Sequence, residues 1–169
     1  MILFPDRALP SEIVTPSSDA VQKFGWQFQP WCGTMPTHKF GDGKKPLVAW
    51  EGKPLYAELA MIAILKNHGF AEAIWRDNFG RGYFRNALPP ASCTMPECFR
   101  EVCGRILAVN GSWSGCWDVL AMDREAPIFV ECKWKTKDRI KQSQKQWFES
   151  ALTAGLSPEQ FAICEWSFA

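Results

Sequence analysis

The chain has 169 residues, of which 47% are hydrophobic and 22% are charged, so it is long and apolar enough for one globular domain. Its formal net charge of +1 excludes an indiscriminate polyanion binder. Because no apolar run reaches membrane-spanning length and no signal-like hydrophobic region follows a charged start, we expect a cytoplasmic protein without a membrane partner.

Residues 1–50 combine frequent prolines with aromatic residues, as in the stretch 26–31. Proline discourages helices and central strands, whereas disordered segments are poor in aromatic residues. We therefore predict an N-terminal arm over residues 1–50 that packs on the core or on a partner subunit. Residues 51–169 would form a single domain.

A helix is predicted over residues 54–68, since Pro54 suits a first helical turn and Gly69 suits a helix end. Glu58 is the one polar residue among the apolar residues 55–65. A buried lone carboxylate must be paired, protonated or bound to a metal. Glu58 is therefore a possible metal ligand, the alternative being a bond to backbone or to a lysine.

A first strand is predicted over residues 71–77, followed by an insertion at about 78–112 with a short helix over 97–108. The insertion and the residues just after it are rich in cysteine, at positions 93, 98, 103 and 116. Seven cysteines in the whole chain, an odd number, favour reduced thiols over disulfides. The spacing of these four does not repeat as two short zinc knuckles, so buried free thiols are favoured over a zinc site.

Two apolar strands carry charged residues in the second half of the chain. Asp118 stands in the first, and Glu131, Cys132 and Lys133 stand in the second. Because side chains alternate along a strand, Glu131 and Lys133 would point to the same face. An isolated pair of this kind is often only a surface ion pair, but a second acid on an adjacent strand indicates a cation site.

Oxygen ligands of this kind suit Mg²⁺ or Mn²⁺, which lowers the pKa of a bound water and neutralises charge on a phosphate. We predict Asp118, Glu131 and the Cys132 backbone carbonyl as metal ligands. Lys133 would orient or deprotonate the attacking water, or stabilise charge in the transition state. Together these roles predict a Mg²⁺-dependent phosphodiesterase.

After the second strand, Asp138 is a predicted N-cap for a helix over residues 139–154 that ends at Gly155. Gln144 is the polar member of its apolar face and would need buried partners, which the site could supply. The alternative is a position at the edge of the apolar stripe. A capping box at residues 157–160 and a last strand over 161–167 complete the predicted elements.

The segment 110–169 resembles the PD-(D/E)xK nuclease superfamily and, within it, the virus-type replication-repair nuclease (VRR-NUC) domain. The matching residues are Asp118, Glu131, Lys133, Asp138-Arg139 and Gln144 with Trp147 three places on. Residues 50–80 match more loosely. One departure is that Cys116-Trp117 precedes Asp118, where the family usually has proline or glycine.

The resemblance implies an α/β, restriction-endonuclease-like sandwich in which a mixed central sheet is flanked by helices. It also implies that Glu58 and Gln144 belong to the catalytic site with Asp118, Glu131 and Lys133. The implied function is an endonuclease acting on DNA in replication, repair or recombination, with branched, flapped or four-way junction DNA as substrate and a homodimer as a possible assembly.

Basic residues are concentrated beside the predicted site, between positions 132 and 146. Lys135, Lys137 and Arg139 are therefore predicted contacts to the nucleic-acid backbone, although a solvated helix entrance has the same pattern. Two other functions remain open from the sequence: an RNA-cleaving toxin on the same fold and a non-catalytic nucleic-acid-binding or interaction module.

Overall fold

The computed structural model describes residues 3–15, 19–36, 45–77, 82–85, 92–123 and 126–169, with only the backbone of Ile13. The helices are α1 (Ala57–Asn67), α2 (Glu97–Asn110) and α3 (Gln142–Thr153), with 3-10 turns at Pro5–Arg7 and Pro158–Gln160. The strands are β1 (Ala8–Ile13), β2 (Ala20–Pro30), β3 (Val48–Trp50), β4 (Lys53–Leu55), β5 (Glu72–Asp77), β6 (Gly82–Phe84), β7 (Ser92–Cys93), β8 (Val119–Asp123), β9 (Ala126–Trp134) and β10 (Phe161–Phe168).

The strands form one mixed sheet in the order β4-β3-β2-β10-β9-β8-β5-β6-β7, and β1 pairs with β2. β10 runs parallel to both β9 and β2, whereas the other pairs are antiparallel. The predicted α/β class with a mixed central sheet is confirmed at this level.

Helices cover both faces of the sheet. Along β9, Val130 packs into a core cluster with α1, whereas its neighbour Phe129 packs into a second cluster with α2 and α3. This alternation follows from the pleat of a strand, and it makes β9 a central strand that is buried on both sides. In the described residues, none of the helices has both the length and the apolar character to span a membrane.

Most predicted elements are found, including the strand over residues 71–77, the helix beginning at residue 97 and the last strand. The helix predicted over 54–68 begins later, at Ala57, because Pro54 lies in β4 and pairs with Ala49 of β3. Gly69, at φ +94°, follows the end of α1 as predicted. Residues 78–81 and 86–91 of the predicted insertion lie outside the described residues.

The predicted capping role of Asp138 is wrong. α3 begins at Gln142 with Lys141 at the N-cap position, and the Asp138 carboxylate instead accepts a hydrogen bond of 3.2 Å from the Trp134 backbone N–H. The carboxylate therefore closes the turn that leaves β9. Asp138 is close in sequence to two backbone segments from whose N–H groups its carboxylate could accept hydrogen bonds. The local sequence alone does not show which of them is its partner.

Despite its prolines, the predicted N-terminal arm contributes strands to the sheet. β2 lies inside the sheet, with β10 along one edge and β1 and β3 sharing the other. The prolines avoid its middle: Pro30 is its last residue, and Pro10 lies in β1 within an irregular stretch of the pairing. The prolines of this segment therefore do not exclude a strand inside the sheet.

Candidate metal and catalytic site

Asp118 and Glu131 face each other across two paired strands. β8 runs antiparallel to β9 with Val119 opposite Val130, which places Asp118 beside Glu131. The Asp118 N–H donates to Glu131 Oε2 at 3.3 Å, and the Cys132 N–H donates to Asp118 Oδ2 at 3.1 Å. Each carboxylate is thus held by the backbone of the other strand, which fixes both in orientation.

Glu131, Lys133 and Gln144 form a closed network of buried side chains. Lys133 Nζ lies 2.8 Å from Glu131 Oε1 and donates to Gln144 Oε1 at 3.0 Å. Gln144 Nε2 completes the network by donating to Glu131 Oε1 at 2.6 Å. The prediction that Glu131 and Lys133 share a face is confirmed, and Gln144 is buried with polar partners rather than lying at the edge of the apolar stripe.

A close backbone approach brings Gln144 to the two strands. Gly115 has φ +80°, and a Cβ at this position would lie 1.9 Å from the Ser143 carbonyl oxygen. Two residues later, the Trp117 indole N–H donates to the Gln144 carbonyl at 3.2 Å. Because only glycine fits this approach, the segment before Asp118 packs directly on the first turn of α3.

Glu58 enters the site from α1 and is paired with a lysine. Lys45 Nζ lies 2.5 Å from Glu58 Oε1, and the glutamate is 5% exposed. Glu58 Oε2 is buried and has no hydrogen-bond partner among the described residues. The alternative of a bond to a lysine therefore holds for one carboxylate oxygen, while the other has unused acceptor capacity.

These residues surround one cavity of about 340 Å³. The predicted site residues that line it are Glu58, Asp118, Glu131, Cys132, Lys133 and Gln144. Lys45, Asp77, Asp138 and Lys141 line it as well. Five carboxylates and three lysine ammonium groups thus meet around the cavity, so its walls carry two excess negative charges when all are ionised. One divalent cation would balance them.

The crowding of acids changes the proton affinity of the site. Burial and the neighbouring Glu131 carboxylate hold the pKa of Asp118 well above its usual range, against the pull of Lys45 and Lys133. Burial alone would lower the pKa of Lys133, but Glu131 and Asp118 outweigh it and the pKa is raised. The ammonium form of Lys133 is therefore favoured.

Glu58 and Lys45 shift in the same direction for different reasons. Burial raises the pKa of Glu58, with a further contribution from Asp118, although Lys45 opposes it. Burial opposes the ammonium of Lys45, but the Glu58 and Asp118 carboxylates dominate and its pKa is raised. Without a further cation, the cavity therefore favours the ammonium forms of Lys45 and Lys133 and raises the pKa of Asp118 and Glu58.

The carboxylate oxygens of the cavity are the type of ligand that a hard divalent cation prefers, although they do not converge on one point. Among the described residues, no three Asp, Glu, His or Cys side chains form a cluster spaced for a metal ion. The free Oε2 of Glu58 and the excess negative charge of the cavity nevertheless match the oxygen ligands that Mg²⁺ requires. Asp118, Glu131 and Glu58 are the residues able to hold it, and the Cys132 carbonyl remains a predicted fourth ligand.

The cavity also has charged residues that the sequence did not assign to the site, among them Asp77 and Lys45. Asp77 ends β5, which pairs with β8, and the neighbouring Arg76 N–H donates to the Asp118 carbonyl at 2.7 Å. Asp77 could have been predicted from the sequence, because it is an acidic residue at the end of a predicted apolar strand. Lys45 carried no signal, because it lies in the proline-rich segment before Pro46 and reaches Glu58 only through tertiary structure.

The predicted nucleic-acid contacts Lys135, Lys137 and Arg139 are exposed on the segment between β9 and α3. Lys137 Nζ lies 4.0 Å from the centre of the Trp134 ring, which orders its side chain. Arg139 lines a neighbouring cavity of about 290 Å³ together with Lys133 and Asp138. Their position beside the site is compatible with backbone contacts, which remain a prediction.

Among the described residues, Cys93, Cys98, Cys103 and Cys116 form no group of three that could hold a metal ion. Cys103 and Cys116 are buried, Cys93 is half-buried and Cys98 is exposed, and all four are free thiols. The expectation of buried thiols therefore fails for Cys98 and is met for Cys103 and Cys116.

The chain has no significant match among protein-family models or curated proteins. The resemblance to PD-(D/E)xK nucleases therefore remains a prediction based on Asp118, Glu131, Lys133 and Gln144.

Proposed function

We propose that the protein is a metal-dependent nuclease that hydrolyses phosphodiester bonds in DNA. The observation that carries the proposal is the hydrogen-bonded network of Glu131, Lys133 and Gln144 beside Asp118, in a cavity that also receives Glu58. A plain structural core has no need for two facing carboxylates with a buried lysine, because each charge raises the free energy of the buried state unless something binds it.

Asp118 and Glu131 would hold the cation, with Glu58 as an additional oxygen ligand from α1. A divalent cation bound there supplies an acidified water and positive charge next to the phosphate. Backbone N–H groups of the opposite strands orient both the Asp118 and the Glu131 carboxylate. Such fixed orientation is what makes an electrostatic site effective.

The raised pKa of Lys133 argues against its predicted role in deprotonating the attacking water. A general base must release its proton near neutral pH, whereas a lysine stabilised as ammonium stays charged. We therefore assign Lys133 to stabilising negative charge on the phosphate rather than to deprotonating water. Gln144 holds the ammonium through Oε1 and Glu131 through Nε2, so it positions both groups.

The test is a cleavage assay with Mg²⁺ or Mn²⁺ on linear duplex, flapped, splayed, four-way and single-stranded DNA, together with RNA. We expect metal-dependent cleavage that falls at least about a hundredfold in Asp118→Asn and in Lys133→Met, because both substitutions keep size and remove charge. Glu101→Gln, at an exposed position of α2, is the matched control and should cleave like the unchanged protein.

Cleavage of no substrate, or cleavage by both site variants at the rate of the unchanged protein, would rule out the assignment. Preference for RNA would move the protein to the alternative class of RNA-cleaving nucleases on the same site. Preference for four-way junctions would support branched DNA as substrate and predicts a homodimer, which light scattering during gel filtration measures directly.

A further inference from the structure

Lys45 is placed as a cation inside the proposed metal site. Its ammonium lies 2.5 Å from Glu58 Oε1 and 4.8 Å from the centre of the Trp75 ring, with the Tyr56 ring at 5.7 Å. One carboxylate and two aromatic faces therefore surround it, and its side chain is only 35% exposed. Such contacts favour a cation at this point of the cavity.

Other carboxylates line the cavity around Lys45. Lys45 lines the cavity with Asp77 and Asp118, and the Asp118 carboxylate also attracts its ammonium. The ammonium offsets only part of the negative charge, since two excess charges remain on the cavity walls and Glu58 Oε2 still lacks a partner. A single ammonium thus stabilises the site without saturating it.

We propose that Lys45 is the internal counter-ion of the metal-free site and that a divalent cation displaces its ammonium from Glu58 on binding. The inference rests on the metal-dependent function proposed above. A cation held by Glu58 and Asp118 would stand within a few ångströms of the ammonium, and like charges at that distance in a half-buried cavity repel strongly. Metal and ammonium therefore compete for one carboxylate.

Competition has a reciprocal consequence. If Lys45 occupies Glu58 in the metal-free protein, it lowers metal affinity by the same factor by which the metal weakens the Lys45–Glu58 pair. Lys45 is then a positioning residue that keeps a buried carboxylate charged and oriented until the cation arrives. Removing it should tighten metal binding, the opposite of what removing a ligand does.

Titration calorimetry with Mn²⁺ tests this in the full chain. We expect Lys45→Met to bind Mn²⁺ about tenfold more tightly than the unchanged protein, a typical size for coupling between two sites. Lys141→Met is the matched control, since Lys141 lines the same cavity but forms no ion pair among the described residues. It removes equal charge and should tighten binding by at most about threefold. Equal or weaker binding by Lys45→Met, or equal gains in both variants, would overturn the proposal.

A second measurement does not depend on the folding of Lys45→Met. The side-chain ammonium of Lys45 should give an NMR signal with slow proton exchange in the metal-free protein, because its protons are bound to Glu58. Saturating Mg²⁺ should shift this signal and accelerate its exchange, with Lys45→Arg used for assignment. A signal that Mg²⁺ leaves unchanged would overturn the displacement even if Lys45→Met did not fold.

The two proposals fail separately. Mn²⁺ binding with the expected gain in Lys45→Met, but without cleavage of any nucleic acid, would support the exchange of cations and reject the nuclease. Metal-dependent cleavage that is lost in Asp118→Asn, with unchanged affinity in Lys45→Met, would support the nuclease and reject the exchange.

Discussion

A carboxylate that faces another carboxylate across paired strands destabilises a metal-free protein, and Asp118 is in this position. Burial and Glu131 hold its pKa well above the usual range. Asp118→Asn removes the charge but keeps an oxygen that can accept from the Cys132 N–H, and it adds an amide that can donate to Glu131. In a chelator we expect the variant to be more stable by about 1–3 kcal/mol, although it loses activity.

The pH dependence of this gain follows from the direction of the shift. A raised pKa means that the folded state keeps a proton that the unfolded state has released, so stability falls as pH rises from the ordinary pKa through the raised one. Asparagine has no such proton. The advantage of Asp118→Asn in urea unfolding should therefore be larger at pH 8 than at pH 4, and an equal advantage at both would contradict the raised pKa.

At the residue scale, the sequence predicted the side chains whose polarity conflicts with their surroundings. Glu58 in an apolar helix and Gln144 in an apolar stripe both line the cavity. Lys45 could not be predicted in the same way, because a lysine in a proline-rich segment conflicts with nothing nearby. Its role depends on a contact thirteen residues along the chain that only the tertiary structure creates.

At the scale of elements, the contact between Gly115 and the start of α3 decides whether the site is assembled. An added Cβ would lie 1.9 Å from the Ser143 carbonyl oxygen, and φ is +80°. We expect Gly115→Ala to destabilise the protein by about 3–5 kcal/mol, since the clash adds to the backbone strain. Because α3 must shift, Gln144 should also lose its bonds to Glu131 and Lys133.

Gly69→Ala is a control that introduces the backbone strain of a positive φ without the steric clash expected in Gly115→Ala. Gly69 has a similar φ of +94°, but an added Cβ would meet nothing within 4 Å. We expect this control to cost only about 1–2 kcal/mol, the strain alone, and to leave cleavage unchanged. Equal unfolding free energies for the two variants in urea would show that the approach of α3 to Gly115 is not tight.

Element boundaries were less predictable than element types for a physical reason. Pro54 is compatible with a first helical turn and also with the short strand β4 that the structure shows. Proline is tolerated in β4 because β4 is an edge strand of the sheet. Asp138 could bond either to the start of α3 or to the Trp134 N–H, and it does the latter. The local sequence does not show which of two hydrogen bonds of similar strength forms in the folded protein.

At the scale of the whole molecule, the largest difference from the sequence-based expectation is the position of β2. Its parallel pairing joins residues 22–28 to residues 162–168, which are separated by most of the chain. Hydrophobic periodicity is local and cannot reveal such a partner. The final residue extends this contact, since the Ala169 N–H donates to the Phe28 carbonyl at 2.9 Å. β2 and β10 therefore lie side by side in one sheet although the chain between them is long.

This arrangement predicts that a substitution in β2 destabilises the whole domain. Phe24 is fully buried, and its ring centre lies 4.8 Å from that of Phe4. We expect Phe24→Ala to lower the free energy of unfolding by about 3–5 kcal/mol, as for other buried aromatic residues, whereas Gln27→Ala at an exposed position of β2 should change it by less than about 0.5 kcal/mol. Urea unfolding followed by tryptophan fluorescence measures both. A strand that shares the central core must unfold together with that core. If Phe24→Ala lowered the free energy of unfolding by less than about 1 kcal/mol, the core would be stable without β2, which would contradict this prediction.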